Sequence, residues 1–103
     1  LLVAADDPHP GEGLFALPGV SAEVTALRAQ RPAARVLEGD AATAAAFVQA
    51  LPDADLVHFA GHVVSDASVP SRSRLLLSPR ASRATVTFAD LREVRLTPGA
   101  TVI

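Results

Sequence analysis

Residues 55–62 read DLVHFAGH, and they form the most strand-like segment of the chain. The run is apolar and partly β-branched as far as Ala60, and Gly61 and His62 follow it. The segment therefore predicts a β-strand that carries a histidine at its carboxyl end.

Strands and helices alternate on the amino-terminal side of this segment. Residues 1–5 are apolar and suit a strand buried on both faces. Apolar residues at i, i+4 and i+7 from Val20 predict a helix of about three turns. Ser21 is its candidate N-cap and Pro32 its end. Residues 35–37 then predict a short second strand.

A second helix separates that strand from residues 55–60. Thr43 is its predicted cap, Phe47 lies in its apolar stripe and Pro52 ends it. The order is then β, α, β, α, β, which predicts a parallel sheet covered by helices, with right-handed crossovers.

The remaining residues show a weaker pattern. Residues 63–73 read as an exposed loop, and the runs 74–78 and 84–87 predict a hairpin at the sheet margin. A near capping box with Asp90 starts a third short helix, whose apolar positions run as far as Leu96. A last apolar strand begins at Ala100.

Composition limits the classes of function. The chain has 103 residues, 50% of them hydrophobic and 19% charged, with a net charge of −2. This balance argues against a nucleic-acid binder and against a disordered tail. Charged residues and prolines interrupt every apolar run before 18 residues, so we expect a soluble chain without a membrane span. The absence of cysteine excludes a disulfide scaffold and a thiolate metal site within these residues.

His62 is the candidate catalytic residue, because catalytic groups in open α/β sheets collect beyond the carboxyl ends of strands. A histidine there can act as general base or acid near neutral pH. The alternative is a structural histidine that only makes hydrogen bonds. Ser65 and Asp66 are too close to His62 in sequence to complete a Ser/His/Asp triad, so a loop-stabilising or substrate-contacting role suits them better.

Three other patterns have weaker functional interpretations. His58 and His62 lie about 13 Å apart on a strand, too far to share a metal ion, and we expect His58 to be a hydrogen-bonded support residue. Residues 11–16 match GxGxxA, but the surrounding prolines do not allow the strand-to-helix turn of a nucleotide site. The sequence predicts no metal and no cofactor.

Four arginines follow His62 in the sequence. They are interpreted as a solvated rim or as contacts for an acidic ligand: Arg72, Arg74, Arg80 and Arg83.

DLVHFAGH, the downstream SRLLL at residues 73–77 and FADL at residues 88–91 resemble the CHAT domain. This caspase-like cysteine peptidase family is related to caspases, separase and the gingipains. LPG at residues 17–19 and LEG at residues 37–39 extend the resemblance over nearly the whole chain. It implies a three-layer α/β/α, caspase-like fold with Rossmann-like topology and a mostly parallel sheet.

The resemblance also implies roles for individual residues. His62 corresponds to the catalytic base, whereas His58 does not. The backbone N–H of Val63, where many relatives have glycine, corresponds to a donor to the oxyanion, and Gly61 would allow the substrate backbone to approach closely. The family's cysteine follows the next core strand, so we expect it beyond Ile103. We expect the isolated chain to be inactive.

Residues 1–103 are therefore expected to be the histidine-bearing part of one CHAT-like domain from a cytoplasmic bacterial protein. Its partners would be a protein or peptide substrate and fused helical-repeat or other regulatory domains, without nucleic acid or membrane. Ser65, Asp66, Arg72 and Arg74 are candidates for the substrate loop. The alternatives are a non-catalytic caspase-like scaffold and a small α/β module that binds a small ligand.

Overall fold

A computed structural model gives the fold and describes residues 1–80, 83–95 and 99 and the strand residues 101–102. Its helices and strands are β1 (Leu2–Ala5), α1 (Val20–Gln30), β2 (Val36–Glu38), α2 (Ala44–Ala50), β3 (Leu56–Gly61), β4 (Val63–Val64), β5 (Arg74–Leu76), β6 (Thr85–Thr87), α3 (Phe88–Arg92) and β7 (Thr101–Val102). Among the described residues, no helix is long and apolar enough to cross a membrane.

The first sheet has the strand order β2-β1-β3-β7, and all of its neighbouring strands are parallel. The predicted strand at residues 55–60 is confirmed as β3, between β1 and β7. Because the strands are parallel, the loops that follow β1 and β3 leave the sheet at the same edge. The register pairs Ala5 with Gly61, so the residues after β1 begin beside His62.

Helices cover both faces of this sheet. Val3 and Ala5 belong to a buried cluster that contains Phe47 of α2, whereas Leu2 and Ala4 belong to a second cluster with residues of α1. All four residues of β1 are buried, as the apolar run predicted. The mixed α/β class is thereby confirmed.

A second sheet, β4-β5-β6, is antiparallel, so the prediction of a mostly parallel sheet describes only the first sheet. The predicted pairing of the two runs is confirmed as β5–β6, but the pair belongs to the second sheet and not to the margin of the first. The prediction that residues 63–73 form only a loop is wrong, because Val63 and Val64 pair with β5. Two strand residues are too few to show a period of two, so this pairing depends on the neighbouring strand.

The helix caps are confirmed at two of three positions. The Thr43 hydroxyl accepts a hydrogen bond from the Ala46 N–H at 3.0 Å, and Thr87 and Asp90 form a capping box. The N-cap prediction for Ser21 is wrong, since α1 begins at Val20 and its N-cap is Gly19, two residues before the predicted cap. The Ser21 hydroxyl instead donates to Glu38 at 2.9 Å and links α1 to β2.

The last predicted strand is confirmed at Thr101 and Val102. Ala100 and Ile103, and Leu96 of the third predicted helix, lie outside the described residues.

Candidate functional site

His62 lies directly beyond the carboxyl end of β3 and is half-buried. Its Nε2 is 2.7 Å from the carbonyl oxygen of Phe15. A carbonyl oxygen can only accept a hydrogen bond, so Nε2 carries the proton. In the neutral ring Nδ1 then holds the free lone pair, and Nδ1 is the atom that can take up a proton.

The Phe15 carbonyl belongs to the loop that follows β1. Backbone hydrogen bonds of 3.0 and 3.1 Å connect His9 and Leu14 and close a tight turn within this loop. Glu12, in the same turn, forms an ion pair with Arg74 of β5. The turn is therefore held to the second sheet, and the Phe15 carbonyl that directly follows it contacts His62.

His9 contacts His62 from this same turn. The two ring centroids are 6.2 Å apart and the ring planes are perpendicular. His9 is 8% exposed, and its Nε2 has no hydrogen-bond partner among the described residues. His9 belongs to no motif that the sequence offers, and only its place shortly after the buried strand at residues 1–5 could have indicated it.

The pKa of His9 is lowered from its ordinary value of 6.5, chiefly by burial. Positive charge on His62 lowers the pKa further, whereas the carboxylates of Asp7 and Glu12 act in the opposite direction. His9 is therefore neutral at neutral pH, and protonating it in the folded state is unfavourable.

This shift predicts a pH-dependent stability. Between the lowered pKa of folded His9 and 6.5, the unfolded chain binds more protons than the folded chain, so the free energy of unfolding falls as the pH falls through that range. We expect the midpoint temperature of thermal unfolding to be lower at about pH 5.5 than at about pH 7.5. We expect this difference to be smaller in His9→Gln. Equal drops in the two proteins would contradict this assignment.

Val63 lies on β4, which is an end strand of the second sheet among the described residues. The Leu76 N–H donates to the His62 carbonyl at 3.0 Å, so the inward backbone groups at this point of the β4–β5 pair belong to His62. Alternation along an antiparallel strand directs the N–H and C=O of the next residue away from β5. Val63 is 50% exposed, and its N–H lies at the edge strand one residue from the histidine.

Gly61 is close to its neighbouring strand. A Cβ at Gly61 would lie 2.9 Å from the Ala5 carbonyl oxygen and 2.9 Å from Cζ of Phe59. The segment that closely approaches Gly61 is therefore β1. This approach brings the loop after β1 next to His62.

His58 has a different environment from His62. Its Nε2 lies 2.9 Å from Oε1 of Glu23 in α1, and its side chain is 19% exposed. The hydrogen bond joins β3 to the helix on one face of the sheet. Among the described residues, no group of three or more His, Cys, Asp or Glu side chains is arranged to hold a metal ion.

Asp66 organises the loop between β4 and β5. Its carboxylate accepts hydrogen bonds from the N–H groups of Ser68 and Val69 at 3.0 and 2.8 Å. The Asp66 N–H donates to the buried Ser73 hydroxyl at 2.9 Å. Asp66 thus makes the local hydrogen bonds expected of a loop-stabilising residue.

The other substrate-loop candidates are distributed around the site. Ser65 and Arg72 are exposed, whereas the Arg74 guanidinium is engaged with Glu12 of the turn after β1. Arg74 therefore helps to hold that turn. Gly11 and Gly13 lie in or at the end of a short 3-10 turn at Pro10–Glu12, well before α1.

The fold and the site together define an α/β domain with a histidine at the carboxyl edge of a parallel sheet and an end strand of a second sheet directly after it. The CHAT domain family model matches residues 3–103. The chain therefore belongs to the CHAT domain family, which supports a domain of the caspase-like peptidase type. No curated protein matches the chain. No solved structure matches it.

Proposed function

We propose that this chain is the histidine-bearing part of a caspase-like cysteine endopeptidase domain with a three-layer α/β/α arrangement. His62 is the general base and acid, and the nucleophilic cysteine follows the strand at Thr101–Val102, beyond Ile103. The observation that carries the proposal is the 2.7 Å hydrogen bond from His62 Nε2 to the Phe15 carbonyl. This bond orients the ring and leaves Nδ1 as the proton acceptor.

The chemistry follows from this tautomer. Nδ1 takes the thiol proton, and the thiolate attacks the carbonyl carbon of a peptide bond. The Val63 N–H donates to the oxyanion that forms. The imidazolium then returns the proton to the departing amine, leaving an acyl-enzyme. Water hydrolyses the acyl-enzyme, with His62 accepting the water proton and passing it back to the thiolate.

The isolated 103 residues are proposed to be inactive, because they contain no cysteine. A base without its nucleophile cannot form the acyl-enzyme. Substrate contacts are assigned to the exposed residues of the β4–β5 loop, in particular Ser65 and Arg72.

The test uses the full-length gene product and a set of peptides that carry a thiol-reactive acyloxymethyl ketone. We expect covalent labelling at one cysteine located after Ile103, with one probe bound per protein, and loss of the labelling in His62→Ala. Labelling that does not depend on His62, or the absence of a cysteine at that position, would overturn the proposal.

A second candidate function is a non-catalytic scaffold that transmits binding between fused domains. It is favoured by the valine at position 63, because β-branching restricts the backbone angles available at the proposed oxyanion donor. In the same experiment this function predicts no His62-dependent labelling with any peptide.

A further inference from the structure

His9 and His62 are joined by two routes. The first is direct, since the rings meet edge to face with centroids 6.2 Å apart, within the range of favourable aromatic pairs. The second runs through the backbone, because the His9–Leu14 hydrogen bonds shape the turn that presents the Phe15 carbonyl to Nε2 of His62. One residue thus contributes to both contacts that restrict the His62 ring.

The burial of His9 suits this role. An exposed imidazole at that distance would be free to rotate, whereas a side chain in a residue 8% exposed is held by its surroundings. Its Nε2 atom is itself buried and has no partner among the described residues. The ring therefore packs against His62 with one buried nitrogen that has no described partner, a cost that an apolar side chain at this position would avoid.

The charge state of His9 also suits a neighbour of a catalytic base. During the proposed reaction His62 becomes an imidazolium, and a second positive charge about 6 Å away would oppose that step. Burial keeps His9 neutral. Asp7 and Glu12 are the carboxylates that act on His9, and they favour its protonated form.

We infer that His9 is a positioning residue for His62, whose ring and turn hold the His62 imidazole in the Nε2–H tautomer with Nδ1 directed to the reacting groups. The inference rests on the proposed function of His62, and it adds a residue from the β1 loop to the histidine half of the site. His9 acts through His62 and makes no contact with substrate in this assignment.

The experiment compares His9→Ala, which removes the ring, with His9→Phe, which keeps an aromatic ring with one more ring atom. Both are made in the full-length protein. Gly11→Ala is the matched control, because it lies in the same turn and an added Cβ there meets nothing within 4 Å. The measurements are kcat and KM for a cleavable peptide and the tautomer of His62, read from the nitrogen chemical shifts of the imidazole.

We expect kcat to fall about tenfold in His9→Ala with KM nearly unchanged, which is less than the ~10²-fold that a 1 Å displacement can cause. The His62 signals should move from a single Nε2–H tautomer toward a mixture of both tautomers. His9→Phe should recover most of kcat and the single tautomer, and Gly11→Ala should match the wild type.

An unchanged kcat and an unchanged His62 tautomer in His9→Ala would overturn the inference. A loss of kcat that His9→Phe does not recover would also overturn it, because the ring contact would then not be the cause. Failure of the proposed function is recognised separately, since His62→Ala would then retain activity or no variant would show any.

Discussion

Replacing His62 by alanine in the full-length protein is expected to lower kcat/KM for a cleavable peptide by about 10²- to 10⁴-fold. The imidazole directly follows β3 at the carboxyl edge, and its Nε2 is already engaged with the Phe15 carbonyl. Alanine removes the Nδ1 lone pair that would take the thiol proton. Steady-state cleavage by the purified protein measures the loss.

His58→Gln is the matched control for this substitution. It lies four residues earlier on β3, its ring hydrogen-bonds to Glu23, and a glutamine can keep a hydrogen bond to that carboxylate. We expect it to retain kcat/KM within about threefold, since an exposed hydrogen bond contributes only about 1 kcal/mol. Equal losses in the two variants would show that the effect comes from the strand and not from a base at position 62.

Gly61→Ala is expected to destabilise the sheet by about 1–3 kcal/mol, the usual effect of forcing an extra methyl group into a packed interior. The new Cβ would lie 2.9 Å from the Ala5 carbonyl oxygen and 3.0 Å from the Ala5 Cβ. Ala5 is 2% exposed and belongs to β1, which pairs with strands on both sides. The backbone at Ala5 therefore cannot withdraw without moving the sheet.

Hydrogen exchange of the β1 and β3 amides in the full-length protein measures this effect at the strands concerned. Protection should fall in both strands. Gly11→Ala should leave it unchanged, because a Cβ at Gly11 meets no atom within 4 Å. We also expect Gly61→Ala to lower activity, since the substitution separates β1 from β3 and thereby moves the Phe15 carbonyl relative to His62. Wild-type protection in β1 would contradict the close approach.

His62 and Gly61 are adjacent in sequence, but their substitutions are expected to affect different properties. His62 is the proposed base and is half-buried, whereas Gly61 leaves space for the neighbouring strand. Stability should therefore change little in His62→Ala and strongly in Gly61→Ala. Measuring unfolding and cleavage on both variants separates a loss of chemistry from a loss of structure.

Much of the fold could be predicted from local patterns. The apolar run at residues 1–5, the helical spacing from Val20 and the segment at residues 55–60 each correspond to a described element. Prolines and capping residues marked several boundaries, because their effect on the backbone is local. The two-residue strand at Val63 and Val64 could not be predicted from local patterns, since it forms only by pairing with β5.

The candidate site was predicted in part. His62 is the proposed base, predicted because catalytic groups gather beyond strand ends, and the match to the CHAT family supports the peptidase class of the domain. His9 and the Phe15 carbonyl were not found. Every residue has a backbone carbonyl, so the sequence does not show which carbonyl contacts His62. His9 lies 53 positions before His62, so no local pattern connects the two residues.

By itself the sequence determined the alternation of strands and helices, the position of a histidine at a strand end and the family of the domain. These depend on hydrophobic period, on turn-forming residues and on a local motif, all of which act over a few neighbouring residues. Only the tertiary structure decided which atoms meet that histidine. Parallel pairing of β1 with β3 brings the loop after β1 onto the same sheet edge, where the Phe15 carbonyl and the His9 ring contact His62. Such contacts between distant segments depend on strand order and register, because those two properties determine which loops lie side by side.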